Sequence, residues 1–251
     1  MTMLDLPLFY APEIEQTNVL PEEEAGHALR VLRLSEGEPI MVTNGQGQVW
    51  KAHISEVSKK HCGVILDEEL PWNKYWQGTI NLYIAPTKSI ERMEWLIEKA
   101  IEIGVDKITL IKCAHSERKH IKAERLQKIM LSAMKQSQKA LLPFLEVDVP
   151  FKDALKQSAD GVSLLFHCKE DDEHSTFKKK QLPQHALTNM NSSINLFIGP
   201  EGDFSSEEIM QAEQAGVQPS TLGASRLRTE TAALTALQWV HVLQNINTNC
   251  N

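Results

Sequence analysis

The sequence predicts an α/β protein in two parts, a mostly β N-terminal part followed by a larger domain with a mainly parallel sheet. Three observations carry this. Up to about residue 70, short apolar runs are separated by turn signals, as in a small β structure. From residue 79, strand-like runs alternate with helical ones, the order that builds parallel sheets. Between the two, PWNKYWQG (residues 71–78) follows neither period and reads as a linker. A chain of 251 residues is long enough for both parts to bury a real core.

Within the first part, EEEAGHALRVLRL reads as a short helix whose exposed side offers Arg30 and Arg33. GEPIMVTNGQGQVWKAHISEV gives two strands around Asn44-Gly45-Gln46-Gly47, a hairpin signal. KKHCGVILDEEL supplies a third strand, with Gly63 as a candidate bulge. The second part opens on the apolar run INLYIAP. SIERMEWLIEKAIEIG follows, with Met93, Leu96, Ile97, Ala100 and Ile101 at helical spacing and Gly104 as a stop. Then come a strand in DKITLIKC, a helix over 122–141 and strands in GVSLLFHC and INLFIG. A helix over 206–215 and a terminal helix from about 230 complete the order. Residues 170–192 are polar and irregular and read as a surface loop.

Composition narrows the function. Hydrophobic residues make up 42 % and charged residues 24 %, as in ordinary globular proteins, and no apolar run reaches membrane-helix length. The start, MTMLDLPLFYAPE, lacks a basic leader and carries Asp5, which argues against a secretory signal. Cys62, Cys113, Cys168 and Cys250 are scattered and form no CxxC pair, which argues against zinc or disulfides and for a reducing cytoplasm. His61-Cys62 and His167-Cys168 each lack a second pair at ligand spacing, so no metal is expected.

The net charge of −7 discourages nucleic acid as a partner, but the average hides an asymmetry. Residues 112–139 hold Lys112, Arg118, Lys119, Lys122, Arg125, Lys128, Lys135 and Lys139 against Glu117 and Glu124 alone. On the predicted helix, Lys122, Arg125, Lys128, Lys135 and Lys139 fall along one side, with Leu126, Met130, Ala133, Met134 and Ser137 on the other. Such a side is either a solvated face or a groove that tracks phosphates.

Two stretches carry chemistry. INLFIGPEGDFSSEEI (194–209) runs from a candidate central strand through Gly199, Pro200, Glu201 and Gly202 into a helix start, with Ser205 and Glu208 spaced as a capping box. Loops at the C-terminal ends of parallel strands bind ligands, and two glycines let backbone approach one closely. TLGASRLRTETAALTALQWV (221–240) repeats the design: a short run, Gly223, a loop with Arg226 and Arg228, then a helix with Thr229 as N-cap. One such loop is an ordinary strand–helix turn; two in one domain suggest a shared pocket.

FIGPEGDFSSEE followed by LGASRLRTETAALTAL resembles the paired signature of RsmE-type enzymes, the 16S ribosomal RNA uridine N3-methyltransferases of the SPOUT superfamily. TKSIERMEWLIEKAIEIGV, CAHSER, AMKQSQKALLP, HALRVLRLSEGEPI and NGQGQ extend the likeness over nearly the whole chain. The resemblance implies a PUA-like RNA-binding β-barrel (residues 1–72) and a SPOUT methyltransferase domain (79–251) whose C-terminal chain forms a trefoil knot. Threading of that kind runs against the general rule for folds, so periodicity does not reveal it. It also implies a homodimer and S-adenosylmethionine as methyl donor. The cofactor loops it implies are Leu165, Phe166 and His167; Ile198, Gly199, Pro200, Glu201 and Gly202; and Leu222, Gly223, Leu227 and Arg228, with Thr231 beneath them.

For the reaction so implied, uridine N3 becomes a good nucleophile as its proton leaves. Arg228 is the expected stabiliser of the anion, and Glu201 or Glu230 the expected proton acceptor. For RNA the expected contacts are Arg30, Arg33, Arg118, Lys122, Arg125, Lys128, Lys135 and Lys139. The chain departs from the family pattern at Gln138-Lys139, where Gly-Arg is common, and at Asp203, where a second glycine is usual. Two other readings stay open: the same fold acting on a ribose 2′-hydroxyl or a transfer-RNA base, and a non-catalytic RNA-binding assembly factor. Whether naked RNA or a 30S particle is the substrate also stays open.

Overall fold

In the computed structural model, residues 6–58, 61–118, 121–168, 180–181 and 193–248 are described. The chain divides into two units, one of residues up to 75 with 131–142, the other of 76–130 with 143–251.

The first unit is built on a four-stranded sheet of β1 (Leu8–Tyr10), β2 (Pro39–Thr43), β3 (Val49–Val57) and β4 (Cys62–Leu70), in that order. β2 and β3 form the expected antiparallel hairpin, and the Asn44 carboxamide oxygen accepts the Gln46 N–H at 2.8 Å inside its turn. The bulge expected at Gly63 lies on the partner strand. Ile54 pairs with Val64 and Glu56 with Gly63, so Ser55 is the extra residue. A Cβ on Gly63 would meet Ser55 Oγ at 2.8 Å. β1 pairs parallel with β2 and is joined to it through α1 (Ile14–Thr17) and α2 (Glu22–Gly26). The helix expected there continues past α2 as a π-helical turn, His27–Val31. Phe9, Ile14, Leu20, Ile40, Val42, Trp50 and Ile54 are among its core residues.

Among the described residues the second unit holds seven strands, every pair parallel: β5 (Thr79–Ile84), β6 (Lys107–Lys112), β7 (Phe144–Pro150), β8 (Val162–Phe166), β9 (Lys180–Gln181), β10 (Ser193–Ile198) and β11 (Gln218–Thr221). Their order is β7-β6-β5-β10-β8-β11-β9. The central run INLFI is buried on both faces, as a strand covered by helices requires. The helices are α3 (Ile90–Ile103), α4 (Ala123–Gln136), α5 (Phe151–Gln157), α6 (Ser206–Gln214) and α7 (Thr229–Thr248). α3 buries the five residues its spacing marked and is capped by Ser89, whose hydroxyl accepts the Arg92 N–H. Among the described residues no helix is long and apolar enough to cross a membrane.

Four elements of the second unit were not expected. β7 is an edge strand with Phe144 exposed, and its LEVD stretch lacks a buried apolar face. α5 has seven residues, too few to show a helical period. β11 carries Pro219, which argues against a strand by itself. β9 falls inside the stretch read as a loop, the rest of which (170–179 and 182–192) lies outside the described residues.

The helix expected over 122–141 ends at Gln136. Gln138 sits in the left-handed region at φ 52°, the Lys139 N–H turns back to the Met134 carbonyl at 3.0 Å, and the helix stops. The Gly-to-Gln departure thus falls at a backbone position that favours glycine.

Candidate active site

β8, β10 and β11 end side by side, and the chain leaving each of them borders one cleft in the second unit. Its larger lobe, about 590 Å³, is lined by Phe166, His167 and Cys168, by Gly202 and Asp203, and by Ser220 through Leu227. A smaller lobe of about 290 Å³ takes Ile198 through Glu201, Arg226, Leu227, Arg228 and Thr229, and also Arg92. Phe166, Cys168, Asp203, Arg226, Leu227 and Ala232 line both. The two glycine-bearing turns therefore meet.

The protein itself packs closely against two of their glycines. A Cβ on Gly199 would lie 3.0 Å from the ring of buried Phe204, and one on Gly202 would lie 3.1 Å from His115 Cβ. At both positions packing within the protein is one reason for the missing side chain. Gly223 is the reverse case: φ is 112° and its side-chain direction meets nothing within 4 Å among the described residues. Asp203, where glycine is usual, also has a positive φ of 64°. Its carboxylate offsets this strain by accepting two backbone N–H groups, Cys168 at 2.8 Å and Phe204 at 2.8 Å.

Hydrogen bonds hold the loop after β10 in place. Glu201 accepts the Lys88 N–H at 2.9 Å, and His115 Nδ1 donates to the carbonyls of Gly202 and Asp203. Arg118 donates to the carbonyls of Thr87 and Lys88, so the loops after β5, β6 and β10 are tied together. Ser205 and Glu208 form the expected capping box, and Glu208 also accepts the Ala114 N–H at 2.8 Å. Burial, with Glu208 close by, pushes the Cys113 thiol well above its ordinary range, so it is not a nucleophile.

Charge on the smaller lobe is uneven. Its acids, Glu201 and Asp203, accept backbone donors, while the side chains of Arg226 and Arg228 make no hydrogen bond or ion pair among the described residues. Glu230, in the first turn of α7, lines neither lobe; it is 6 % exposed, and its Oε2 has no hydrogen-bond partner among the described residues. α7 begins at Thr229 itself, so the cap position passes to Arg228, whose carbonyl accepts the Ala232 N–H.

Of the residues expected to hold a cofactor, Phe166, His167, Ile198, Gly199, Pro200, Glu201, Gly202, Leu222, Gly223, Leu227 and Arg228 line the cleft. Leu165 does not. It is fully buried in the core with Tyr83 and Phe197, because alternate strand residues face opposite ways. Thr231 is exposed and lines neither lobe. No local pattern marks Arg92, which comes from α3, more than a hundred residues away from the motifs it joins.

The basic row is shorter than its spacing implied. Lys122, Arg125 and Lys128 are exposed, Arg125 pairing with Glu94. Lys135 instead reaches the buried carboxylate of Glu24, and Lys139 is buried with its ammonium 5.4 Å from the Tyr75 ring centre. Both serve the first unit, since the helix has ended or is ending where they fall. Arg30 and Arg33 are exposed, next to exposed Val31 and Leu32. No cluster that could hold a metal occurs among the described residues.

A family model described as RNA methyltransferase domain matches residues 74–241, two thirds of the chain and all of the cleft. The chain belongs to this RNA methyltransferase family. A second model, RNA methyltransferase PUA domain, matches residues 20–67. The N-terminal part of this methyltransferase is thus PUA-like, and its second part is the parallel-sheet methyltransferase domain. A Synechocystis protein named ribosomal RNA small subunit methyltransferase E is 30 % identical over 245 residues, covering 94 % of this chain and 77 % of its own. A probable rRNA-methyltransferase from Porphyromonas gingivalis is 43 % identical, with a TM-score of 0.85 over 96 % of this methyltransferase and 99 % of that structure. A ribosomal RNA small subunit methyltransferase E from Neisseria gonorrhoeae, bound to S-adenosyl methionine, is 27 % identical with a TM-score of 0.78, covering 95 % and 98 %.

Proposed function

We propose that this methyltransferase transfers the methyl group of S-adenosylmethionine to N3 of a uridine in 16S ribosomal RNA, in the decoding region. One observation carries the reading: in a chain of this family, the loops after β8, β10 and β11 enclose a single cleft. The names of the relatives, and the cofactor bound in a similar structure, support the substrate and the donor.

The residues present fit that donor. Phe166, Leu222, Leu227 and Ala232 give the larger lobe apolar walls for an adenine, and the 220–225 backbone borders the same space with polar groups. Asp203 places a carboxylate in both lobes, favourable to a cationic sulfonium. When bound, the cofactor supplies an electrophilic methyl group. The protein does the rest by positioning and by charge. Arg228, on the smaller lobe, stabilises the negative charge that develops on the uracil oxygens as N3 loses its proton. Glu201 is the proton acceptor: one oxygen is fixed by the Lys88 N–H, while the exposed carboxylate lines the lobe. Glu230 is too buried for that part. N3 lies on the pairing edge, so the base enters the cleft unpaired.

The domain assignment follows: residues 1–72 form a PUA-like RNA-binding β-barrel and 79–251 a knotted SPOUT domain that binds the cofactor. Such a knot would bring the 222–228 loop beside the loops after β8 and β10, and residues of all three border the same cleft. Arg30, Arg33, Lys122, Arg125 and Lys128 contact RNA, and Arg118 acts mainly through the loops it ties. The protein works in the cytoplasm as a homodimer. Trp239, Val242 and Ile246, 46 %, 40 % and 53 % exposed, fall on one side of α7 and suit a partner subunit; light scattering counts the subunits.

The test is mass mapping of modified nucleosides in ribosomal RNA from a deletion strain, before and after the gene is restored. One 3-methyluridine in 16S RNA should vanish and return. Loss of a 2′-O-methyl or transfer-RNA mark instead would refute the proposal.

A further inference from the structure

Arg92 is unlike the other basic residues of this methyltransferase. It stands in the first turn of α3, far in sequence from the signature loops, yet lines the smaller lobe beside Arg226 and Arg228. Its Nε is 3.8 Å from Glu230 Oε1, too long for a hydrogen bond but close enough to steer the guanidinium. The two side chains differ in burial, 43 % exposed for Arg92 and 7 % for Glu230. A buried carboxylate thus faces the Nε edge from within the protein. The Nη edge makes no hydrogen bond among the described residues.

Burial of a carboxylate is unfavourable unless something repays the lost hydration. For Glu230 the positive end of α7 and the charge of Arg92 supply part of this, and among the described residues its Oε2 still has no hydrogen-bond donor. An arrangement held at that cost is one that aims a group. Three guanidiniums border one lobe of about 290 Å³, and its two carboxylates are already bonded to backbone N–H groups. The lobe therefore suits an anion. A base that enters the cleft leaves its sugar and phosphate at the mouth. A half-exposed guanidinium with a free pair of Nη groups matches the non-bridging oxygens of a phosphate there, and Arg forms such paired bonds where Lys cannot.

We propose that Arg92 is a further substrate-contacting residue, binding an RNA phosphate at the mouth of the smaller lobe, and that Glu230 is its positioning partner rather than a proton acceptor. This rests on the RNA-methylation reading above.

The experiment compares wild type with Arg92→Ala, Arg92→Lys, Glu230→Gln and the Arg92→Ala/Glu230→Gln pair, on small ribosomal subunits or 16S RNA lacking the mark. Arg92→Ala should raise KM for RNA about tenfold, as loss of one charge-assisted contact does, and leave kcat within about twofold. The slope of log affinity against log salt should fall by about one, and the affinity for S-adenosylmethionine by calorimetry should not change. Arg92→Lys should recover the slope but only part of the affinity. Glu230→Gln, nearly isosteric, should raise KM in the wild-type background and add nothing once Arg92 is gone. A fall in kcat with KM and slope unchanged overturns the proposal, as does weaker cofactor binding, which would make Arg92 a cofactor ligand. An undiminished Glu230→Gln effect in the Arg92→Ala background overturns the positioning role. If wild type binds RNA but does not methylate it, the underlying reading fails, while the salt slope of Arg92→Ala binding still decides the phosphate contact.

Discussion

Replacing Gly199 by alanine separates two reasons for a glycine on the lip of a buried strand. The added Cβ would lie 3.0 Å and 3.1 Å from two carbons of the Phe204 ring and 3.3 Å from the Phe204 nitrogen, closer than ordinary contact allows. Relief requires a shift of a few tenths of an ångström. Phe204 is fully buried and packs at 5.4 Å against Phe151, so the ring has little room to give. Overpacking of this sort costs about 1–3 kcal/mol. In a chain of this size that lowers the melting temperature by roughly 2–4 °C per kcal/mol. Calorimetry and tryptophan fluorescence read the melting, and titration calorimetry reads cofactor affinity. Phe204→Leu thins the ring and loses stability of its own, but combined with Gly199→Ala the losses should sum to less than the two separately. A Gly199→Ala protein that melts like wild type but no longer binds S-adenosylmethionine would refute the packing argument. Strict additivity with Phe204→Leu would do the same.

Gln138→Gly removes a side chain from a left-handed backbone position and should raise stability by about 1 kcal/mol, measured by urea unfolding. Lys135→Ala strands the buried carboxylate of Glu24 and should cost about 3 kcal/mol or more, with part restored by adding Glu24→Gln. Lys128→Ala, on the exposed row, should weaken RNA binding and flatten its salt dependence by about one unit of slope. Arg228→Ala should lower kcat about 100-fold or more, with cofactor affinity intact; a loss confined to affinity would mean that Arg228 serves the cofactor. The ammonium of Lys107 bonds Glu146 and holds its carboxyl below the usual value of 4.5. A lowered folded-state value stabilises the fold above pH 4.5, and that contribution fades as pH falls and Glu146 is protonated in the fold. Glu146→Gln should therefore destabilise near neutral pH, by about 1 kcal/mol or less for a partly exposed pair, with the gap to wild type closing in acid.

The order of strands and helices from residue 79, the capping box at Ser205 and the buried stripe of α3 were legible because each depends on neighbours within one turn or one strand. The GPEG and LRTETA stretches pointed to a shared pocket for the same reason: a strand end followed by a helix start is written in consecutive residues. Elements whose order comes from their neighbours were not legible. β11 survives its proline because it lies between β8 and β9, and β7 because it joins the edge of a sheet already formed. The basic row failed at Lys139 because helical spacing assigns a side only while the helix lasts, and at Lys135, still within α4, because only the fold shows Glu24 waiting across the unit.

Local pattern alone thus determined the class of fold, the loops that border the cleft and, through their motifs, the family. Which atoms fill that cleft was decided by the tertiary structure. It alone set Gly199 against Phe204, turned Leu165 into the core and brought Arg92 to Glu230. The physical reason is that hydrogen-bonded turns and helical faces are properties of short segments. Close packing and the pairing of buried charge depend on which distant segments share a few ångströms of space, and no local pattern records that.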